Sequence, residues 1–373
     1  MHVVESYGGG VFTSVNQLCN GFAKQHDVVL VHGLREETPA NFAEALAPGV
    51  RRIQIPFTRE ISPRTDFRSL TTLVRLFKEE KPDVLHLHSS KAGFLGRMAA
   101  AVAGMEAVVY SPRAYAFLDP ANSPLKKRMY RTLEQLGGKM GGVVVGCSRD
   151  EAEEAKAVAP RVAQINNAID IKLLDSIERT APSSRSTRPL TVGVHARVRD
   201  AKRPDLFQEV ARRVREQRPD VRFLWIGGGD PFFEGSSLVE CTGWLPRNDA
   251  LATLSREVDI YLLTSAYEGL PLSVIEAAAL GKPSVCTDVS GTRSAVAHGK
   301  SGFLCRDGVA PCSVALAQAV LNLANDDALR EETSAYARRF AREEFDLPLM
   351  LARYQTLYGS LASSRTLKVP HAV

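Results

Sequence analysis

Two acidic residues, Glu268 and Glu276, lie eight positions apart in the run SAYEGLPLSVIEAAALGKPSV, residues 265–285. A carboxylate accepts two hydroxyl hydrogen bonds at once, which suits the diols of a sugar or a ribose. The pattern reads as a strand end, a turn, and a short helix that begins near Leu272 or Ser273. Gly281 supplies a left-handed stop for that helix. Glu268 then falls in the loop and Glu276 inside the helix. The amides of Leu270, Leu272 and Ser273 lie in the first turn or just before it. Free N–H groups and the helix dipole attract an anion at such a place. Gly269 lets a ligand come close to the backbone. A purely structural assignment is also open, because Ser273 and Glu276 have the S-x-x-E spacing of a capping box.

A second candidate is the basic pair Arg197 and Lys202 in GVHARVRDAKRP. Phosphoryl oxygens favour a forked guanidinium beside a point charge. On spacing alone, the same two residues also read as ordinary surface charge. His86 and His88 lie at the end of the strand-like run DVLHLHS and read in isolation as ordinary buried histidines. The glycine runs Gly8–Gly10 and Gly227–Gly229 invite a dinucleotide reading. Neither completes G-x-G-x-x-G, because Thr13 and Phe232 stand at the third glycine position. The six cysteines form no C-x-x-C pair and read as reduced thiols of the interior.

These residues need a frame. Short apolar runs (DVVLVHG, DVLHLHS, AVVYSP, GVVVGCS) alternate with helical patterns in the first half. LTVGVHA, RFLWIGG, IYLLTS and PSVCTD do the same in the second. Such alternation predicts α/β architecture with parallel sheets covered on both faces. In open parallel sheets ligands bind beyond the carboxyl ends of the strands. The chain has 373 residues, room for two domains. The Ser/Pro/Arg-rich run IERTAPSSRSTRP reads as the linker. The expected division is 1–180 and 181–340, with a helix near 341–360 packing back on the first domain.

Net charge is +5 and charges mostly alternate in sign, which argues against a nucleic-acid partner. A local excess, Lys126, Lys127, Arg128 and Arg131, falls in one probable helix. It reads as a solvated face or as a patch for an anionic membrane or lipid phosphate. No basic-then-apolar leader and no long apolar span are evident, so a cytoplasmic protein is expected.

The 265–285 run resembles the E-x7-E signature of the family 4 retaining glycosyltransferases, which have the GT-B fold. Further segments resemble the same family in the same order: VVESYGGGVFTSVNQL, PDVLHLHSSKAGFLGRMAA, INNAID, GVHARVRDAKRP, IGGGDP and TGWLPRNDALATLS. Together they span roughly residues 2–360. The resemblance implies two Rossmann-like domains facing a cleft. It implies a metal-independent transfer, without cofactor, from a UDP- or GDP-sugar to a saccharide or lipid-linked acceptor used in cell-surface polysaccharide synthesis. Peripheral contact with a membrane is compatible with it.

Carried over by position, Glu268, Arg197 and Lys202 form the catalytic group. Gly10, Arg197, Lys202, Gly269, Leu270, Pro271, Leu272 and Glu276 bind the donor, with Glu276 on the ribose diol. His88 and Arg113 are candidates on the acceptor side. Two departures stand out. Arg113 and Ala114 occupy the place of a family His-Gly pair, and Ala196 replaces a glycine before Arg197. The Arg113 departure leaves room for a non-catalytic GT-B protein that binds nucleotide or a partner.

Overall fold

The computed structural model describes residues 1–58, 61–180, 188–306, 308 and 311–366. They form two compact units. One comprises Met1–Asn167 with the chain from Leu347 onward, the other Ala168–Asp346.

The first unit alternates strand and helix through β1 (His2–Val4), α1 (Gly9–Phe22), β2 (Val28–His32), β3 (Val50–Gln54), α2 (Pro63–Glu80), β4 (Leu85–His88), α3 (Ser90–Ala103), β5 (Val108–Ser111), α4 (Pro124–Lys139), β6 (Val143–Gly146), α5 (Arg149–Lys156) and β7 (Val162–Gln164). The sheet order is β3-β2-β1-β4-β5-β6-β7, with every neighbouring pair parallel. Strand order therefore reverses between β1 and β4. β4, β5 and β6 are buried along their whole length. That burial is why β5 and β6 read as apolar runs, while β4 alternates two histidines with its leucines.

Arg97 interrupts the small-residue helix α3, and its guanidinium is almost fully buried. It donates to Glu134 Oε2 at 3.0 Å and to Gly93 O at 2.9 Å, and lies over the Tyr110 ring at 4.2 Å. Tyr110 donates to the other Glu134 oxygen at 2.8 Å. A side chain at Gly93 would strike the Tyr110 ring, and one at Gly137 would strike Arg97. This buried pair is fully hydrogen-bonded, the condition under which such a pair is tolerated in a core.

The second unit contains α6 (Ile171–Thr180), β8 (Thr191–His195), α7 (Pro204–Gln217), β9 (Arg222–Ile226), β10 (Glu240–Cys241), α8 (Arg247–Glu257), β11 (Ile260–Leu263), α9 (Leu272–Ala279), β12 (Ser284–Thr287), α10 (Thr292–Ala295), β13 (Gly302–Cys305), α11 (Cys312–Asn325) and α12 (Asp327–Glu344). Its parallel sheet runs β10-β9-β8-β11-β12-β13 and reverses between β8 and β11. Both sheets are thus doubly wound, the α/β class expected.

The division differs from the sequence reading in where α6 belongs. Arg338 of α12 grips both Glu178 oxygens, at 2.8 and 2.5 Å, and Arg342 reaches Asp175 Oδ1 at 2.5 Å. Both acids are on α6, so the helix joins the second unit and the boundary falls after Asn167. The linker residues 181–187 lie outside the described residues. α13 (Leu347–Thr366) returns to the first unit, where Leu351 fills the space a side chain at Gly21 of α1 would need. Residues 341–346 stay with the second unit. Among the described residues no helix is long and apolar enough to cross a membrane.

Candidate active site

In the second unit the chain leaves β8 at His195 and turns through Ala196 and Arg197. The turn is held from behind by the glycine run. Gly227 and Gly229 have φ of 138° and 135°. Side chains there would come within 2.2 Å of Ala196 O and 2.5 Å of Val198 O. Trp225 Nε1 donates to Ala196 O at 2.8 Å, and Val198 N donates to Gly228 O at 2.9 Å. These glycines serve a close backbone approach that presents Arg197.

A single 3-10 turn, Asp200–Lys202, follows. Thr264, just past β11, donates its hydroxyl to Lys202 O at 2.8 Å, and Ala266 N donates to Ala201 O at 3.0 Å. The two loops that flank the strand reversal are therefore laced together. Across them Lys202 Nζ donates to Glu268 Oε1 at 2.5 Å. Ser265 Oγ donates to the same oxygen at 2.6 Å. Gly291, at φ 85°, backs this loop, since a side chain there would meet Gly269 O at 2.5 Å.

Helix α9 starts at Leu272 with Pro271 as N-cap and no side-chain cap. Ser273 is its second residue, so the capping box does not form. Instead the Ser273 side chain hydrogen-bonds the Tyr261 hydroxyl. The first-turn amides of Leu272 and Ser273 have no intrahelical acceptor, by the geometry of any helix start. Gly281, at φ 71°, closes the segment in the left-handed conformation. Gly269, Leu270, Pro271 and Leu272 are buried.

Glu276 is 1% exposed. Its Oε1 accepts from Arg247, the first residue of α8. Its Oε2 faces His195 Nδ1 at 3.9 Å. Burial lowers the His195 pKa, the nearby Glu276 partly offsets this, and Arg247 and Lys202 add to the lowering. Tyr261 brackets His195: its hydroxyl donates to His195 O and accepts from His195 N, each at 3.3 Å.

The first unit arranges its polar groups differently. Gly10 is the second residue of α1, exposed, in the helix's first turn. His88 is completely buried, and so nearly are His2 and His86. Arg113 Nη2 donates to His88 Nδ1 at 3.4 Å, and His2 Nδ1 lies 3.1 Å from His88 Nε2. An arginine only donates. His88 Nε2 therefore carries the proton and donates to His2. His86 places one nitrogen 2.6 Å from the Tyr358 hydroxyl and the other 2.9 Å from Ser111 Oγ. Burial holds all three imidazoles well below their usual pKa; the N-terminal amine and Arg113 lower all three further, and neighbouring imidazoles add to this for His86 and His88.

The three rings are close enough to share a metal ion. Yet the nitrogens just named already bond one another, Ser111, Tyr358 and a permanent cation, so the cluster is a hydrogen-bond network. His88 supports Arg113 and offers no surface of its own to a ligand.

Arg113 also donates to Asn167. Both Arg113 and Ala114 have positive φ, 63° and 87°. Glu151 ties the turn down, accepting from Ala114 N at 2.6 Å and from Cys147 N at 2.7 Å.

The model for a glycosyl transferase 4-like domain matches residues 9–168, and that for glycosyl transferases group 1 matches residues 189–326. The chain belongs to the family 4 glycosyltransferases. One relative is the UDP-Gal:alpha-D-GlcNAc-diphosphoundecaprenol alpha-1,3-galactosyltransferase of Escherichia coli, 28% identical over 305 residues, 75% of this chain and 76% of the relative. Sucrose-phosphate synthase from Thermosynechococcus elongatus superposes with a TM-score of 0.79 at 18% identity, over 97% of this chain and 99% of that one. Anabaena Alr3699/HepE, solved with UDP and glucose, gives 0.74 at 18% identity, over 96% and 100%. At such identities the likeness establishes the GT-B fold.

In this glycosyltransferase Lys202, Glu268 and Glu276 gather at the reversal of the second sheet, with Arg197 on the β8 side of it. Gly10, His88 and Arg113 belong to the first unit. Sequence reasoning missed His195, Arg247 and Tyr261. Only one signal for them existed: a carboxylate buried inside a helix requires a cation from elsewhere.

Proposed function

We propose that this glycosyltransferase moves a sugar, with retention and without a metal ion, from a UDP- or GDP-sugar to a saccharide or lipid-linked acceptor. The Lys202–Glu268 contact at 2.5 Å, beside the open first turn of α9, carries the reading. Arg197, Lys202 and the α9 amides neutralise the donor diphosphate. Glu268 fixes Lys202 and faces the transferred sugar. Glu276 holds the ribose diol. The bond from the anomeric carbon to the diphosphate breaks as the acceptor oxygen bonds the same face. The acceptor proton passes to the departing diphosphate oxygen. The protein orients both partners and stabilises charge growing on the leaving group.

The UDP found in Alr3699/HepE and the diphosphoundecaprenol acceptor named for the E. coli relative support this donor and acceptor class. They also support a place in cell-surface polysaccharide synthesis. Nucleotide release, measured over a panel of UDP-, GDP- and ADP-sugars with undecaprenyl-diphosphate saccharides, tests the reading. Binding without release across that panel would favour the second reading, a non-catalytic binder. The constrained Arg113 turn is the observation on that side.

Peripheral membrane contact is part of the proposal. Of ten large hydrophobic side chains exposed among the described residues, Ile61, Phe67, Leu125, Met129, Leu136 and Met140 lie on or beside α2 and α4. The last four recur at helical spacing on one face of α4. Lys126 and Arg128, both exposed, flank that stripe. An apolar stripe edged with cations suits an anionic bilayer. Co-sedimentation with phosphatidylglycerol vesicles should occur, weaken with salt, and drop severalfold in Leu125→Ser/Leu136→Ser. Equal binding to neutral vesicles would discard the idea.

A further inference from the structure

We infer that His195 and Glu276 together clamp one ribose hydroxyl of the donor nucleotide, making His195 a specificity residue for ribonucleotides. This rests on the proposal that Glu276 holds the ribose.

His195 Nδ1 is buried and has no hydrogen-bond partner. Buried polar nitrogens are ordinarily paired. Glu276 Oε2 lies 3.9 Å from His195 Nδ1. That is too long for a direct hydrogen bond. It is the right span for one oxygen atom lying about 2.7–2.9 Å from each group. A hydroxyl both donates and accepts. It would donate to the carboxylate and accept from His195 Nδ1–H.

The surroundings keep the pair in that state. Arg247 occupies the other oxygen of Glu276 and orients the carboxylate. Burial and the cations Arg247 and Lys202 keep the imidazole neutral. Tyr261 bonds the His195 backbone on both sides and the Ser273 side chain as well. It therefore couples the end of β8 to the start of α9 and fixes the spacing of the clamp. The wider unit has no second copy of this arrangement among the described residues: His298, its other described imidazole, accepts from Leu304 N and lies in an exposed turn.

The test is a titration series by calorimetry. The nucleotide is whichever of UDP, GDP and ADP binds most tightly, with its 2′-deoxy and 3′-deoxy forms. The proteins are the wild type, His195→Phe, His195→Asn and Glu276→Gln, with thermal melts to confirm folding. The wild type should prefer the ribonucleotide over one deoxy form by about tenfold, one ordinary hydrogen-bond pair's worth. His195→Phe fills the same space without a donor. It should cut that preference severalfold, because only the bond to Glu276 remains, while leaving affinity for the deoxy form within about twofold. His195→Asn restores a donor and should recover part of the preference. If the preference survives His195→Phe but falls in Glu276→Gln, the clamp is wrong and the ribose reading stands. If it survives both, Glu276 does not hold the ribose and both proposals fall.

Discussion

The two sheets have the same winding, yet the loops at their reversal points differ in how their polar groups are satisfied. In the first unit, His88 bonds His2 and Arg113, Arg113 bonds Asn167, and His86 bonds Ser111 and Tyr358, with Arg113 Nε left without a partner. In the second, Lys202 pairs with Glu268 and Arg247 with Glu276, but a whole imidazole nitrogen, His195 Nδ1, stands unpartnered 3.9 Å from the Glu276 carboxylate. Topology chooses the place where a ligand is received. What the place does depends on whether its polar atoms find partners inside the protein. The first arrangement ties its imidazoles to their neighbours, and the second leaves an imidazole nitrogen and a carboxylate oxygen side by side without a bond between them.

The sharpest way to break this contrast is Glu268→Ala. It removes the carboxylate that accepts from both Lys202 and Ser265. Transfer should fall by about a thousandfold, the scale seen when one organised charge partner leaves an active site. Folding stability should change little, because the loop stays laced through Thr264 and Ala266. Steady-state release of nucleotide and a thermal melt on the same preparation decide it. Near-normal turnover would move the chemistry elsewhere.

Acid should expose the first unit. Its three buried rings are held neutral, so each protonates more readily in the unfolded chain. Stability is then complete above about pH 6.5, the ordinary histidine value, and falls as pH drops below it. With three rings the slope reaches at most about 4 kcal/mol per pH unit. Urea melts at intervals from pH 7.5 to 5 would record it. A flat profile would mean that the rings accept protons in the fold, and the network as described would fail.

Glu276→Gln should weaken nucleotide binding tenfold or more. The amide keeps the shape but leaves Arg247 without its charge partner. Hydrogen bonds to charged groups carry about 1.5–3 kcal/mol. Loss of stability without loss of nucleotide affinity would make Glu276 a structural carboxylate that only anchors Arg247.

The fold was readable because buried parallel strands appear as apolar runs, and GVVVGCS or IYLLTS permits little else. Glu268 and Glu276 were readable because one contiguous segment carries both. Arg247 and His195 were not, since they arrive from α8 and β8 and only the folded chain brings them to Glu276. α6 was misassigned for a similar reason: its allegiance is decided by Arg338 and Arg342, some 160 residues away. Gly227–Gly229 invited a dinucleotide reading, which Phe232 already denied, because a close backbone approach and a phosphate make the same demand for a missing side chain.

The smallest effect concerns the Arg113–Ala114 turn, where the family resemblance places a glycine. Ala114 has φ 87°, a conformation costly for a residue with a Cβ. Glu151 holds it there through the Ala114 amide. Ala114→Gly should relieve that strain while keeping the hydrogen bond. Glycine's greater freedom in the unfolded chain subtracts part of the gain. A net stabilisation of about 0.5–1 kcal/mol follows, or a melting shift of a few degrees for a unit of this size. Were the variant less stable, the turn would not be strained. The alanine would then be an ordinary replacement that a first unit built of mutually bonded groups absorbs without cost.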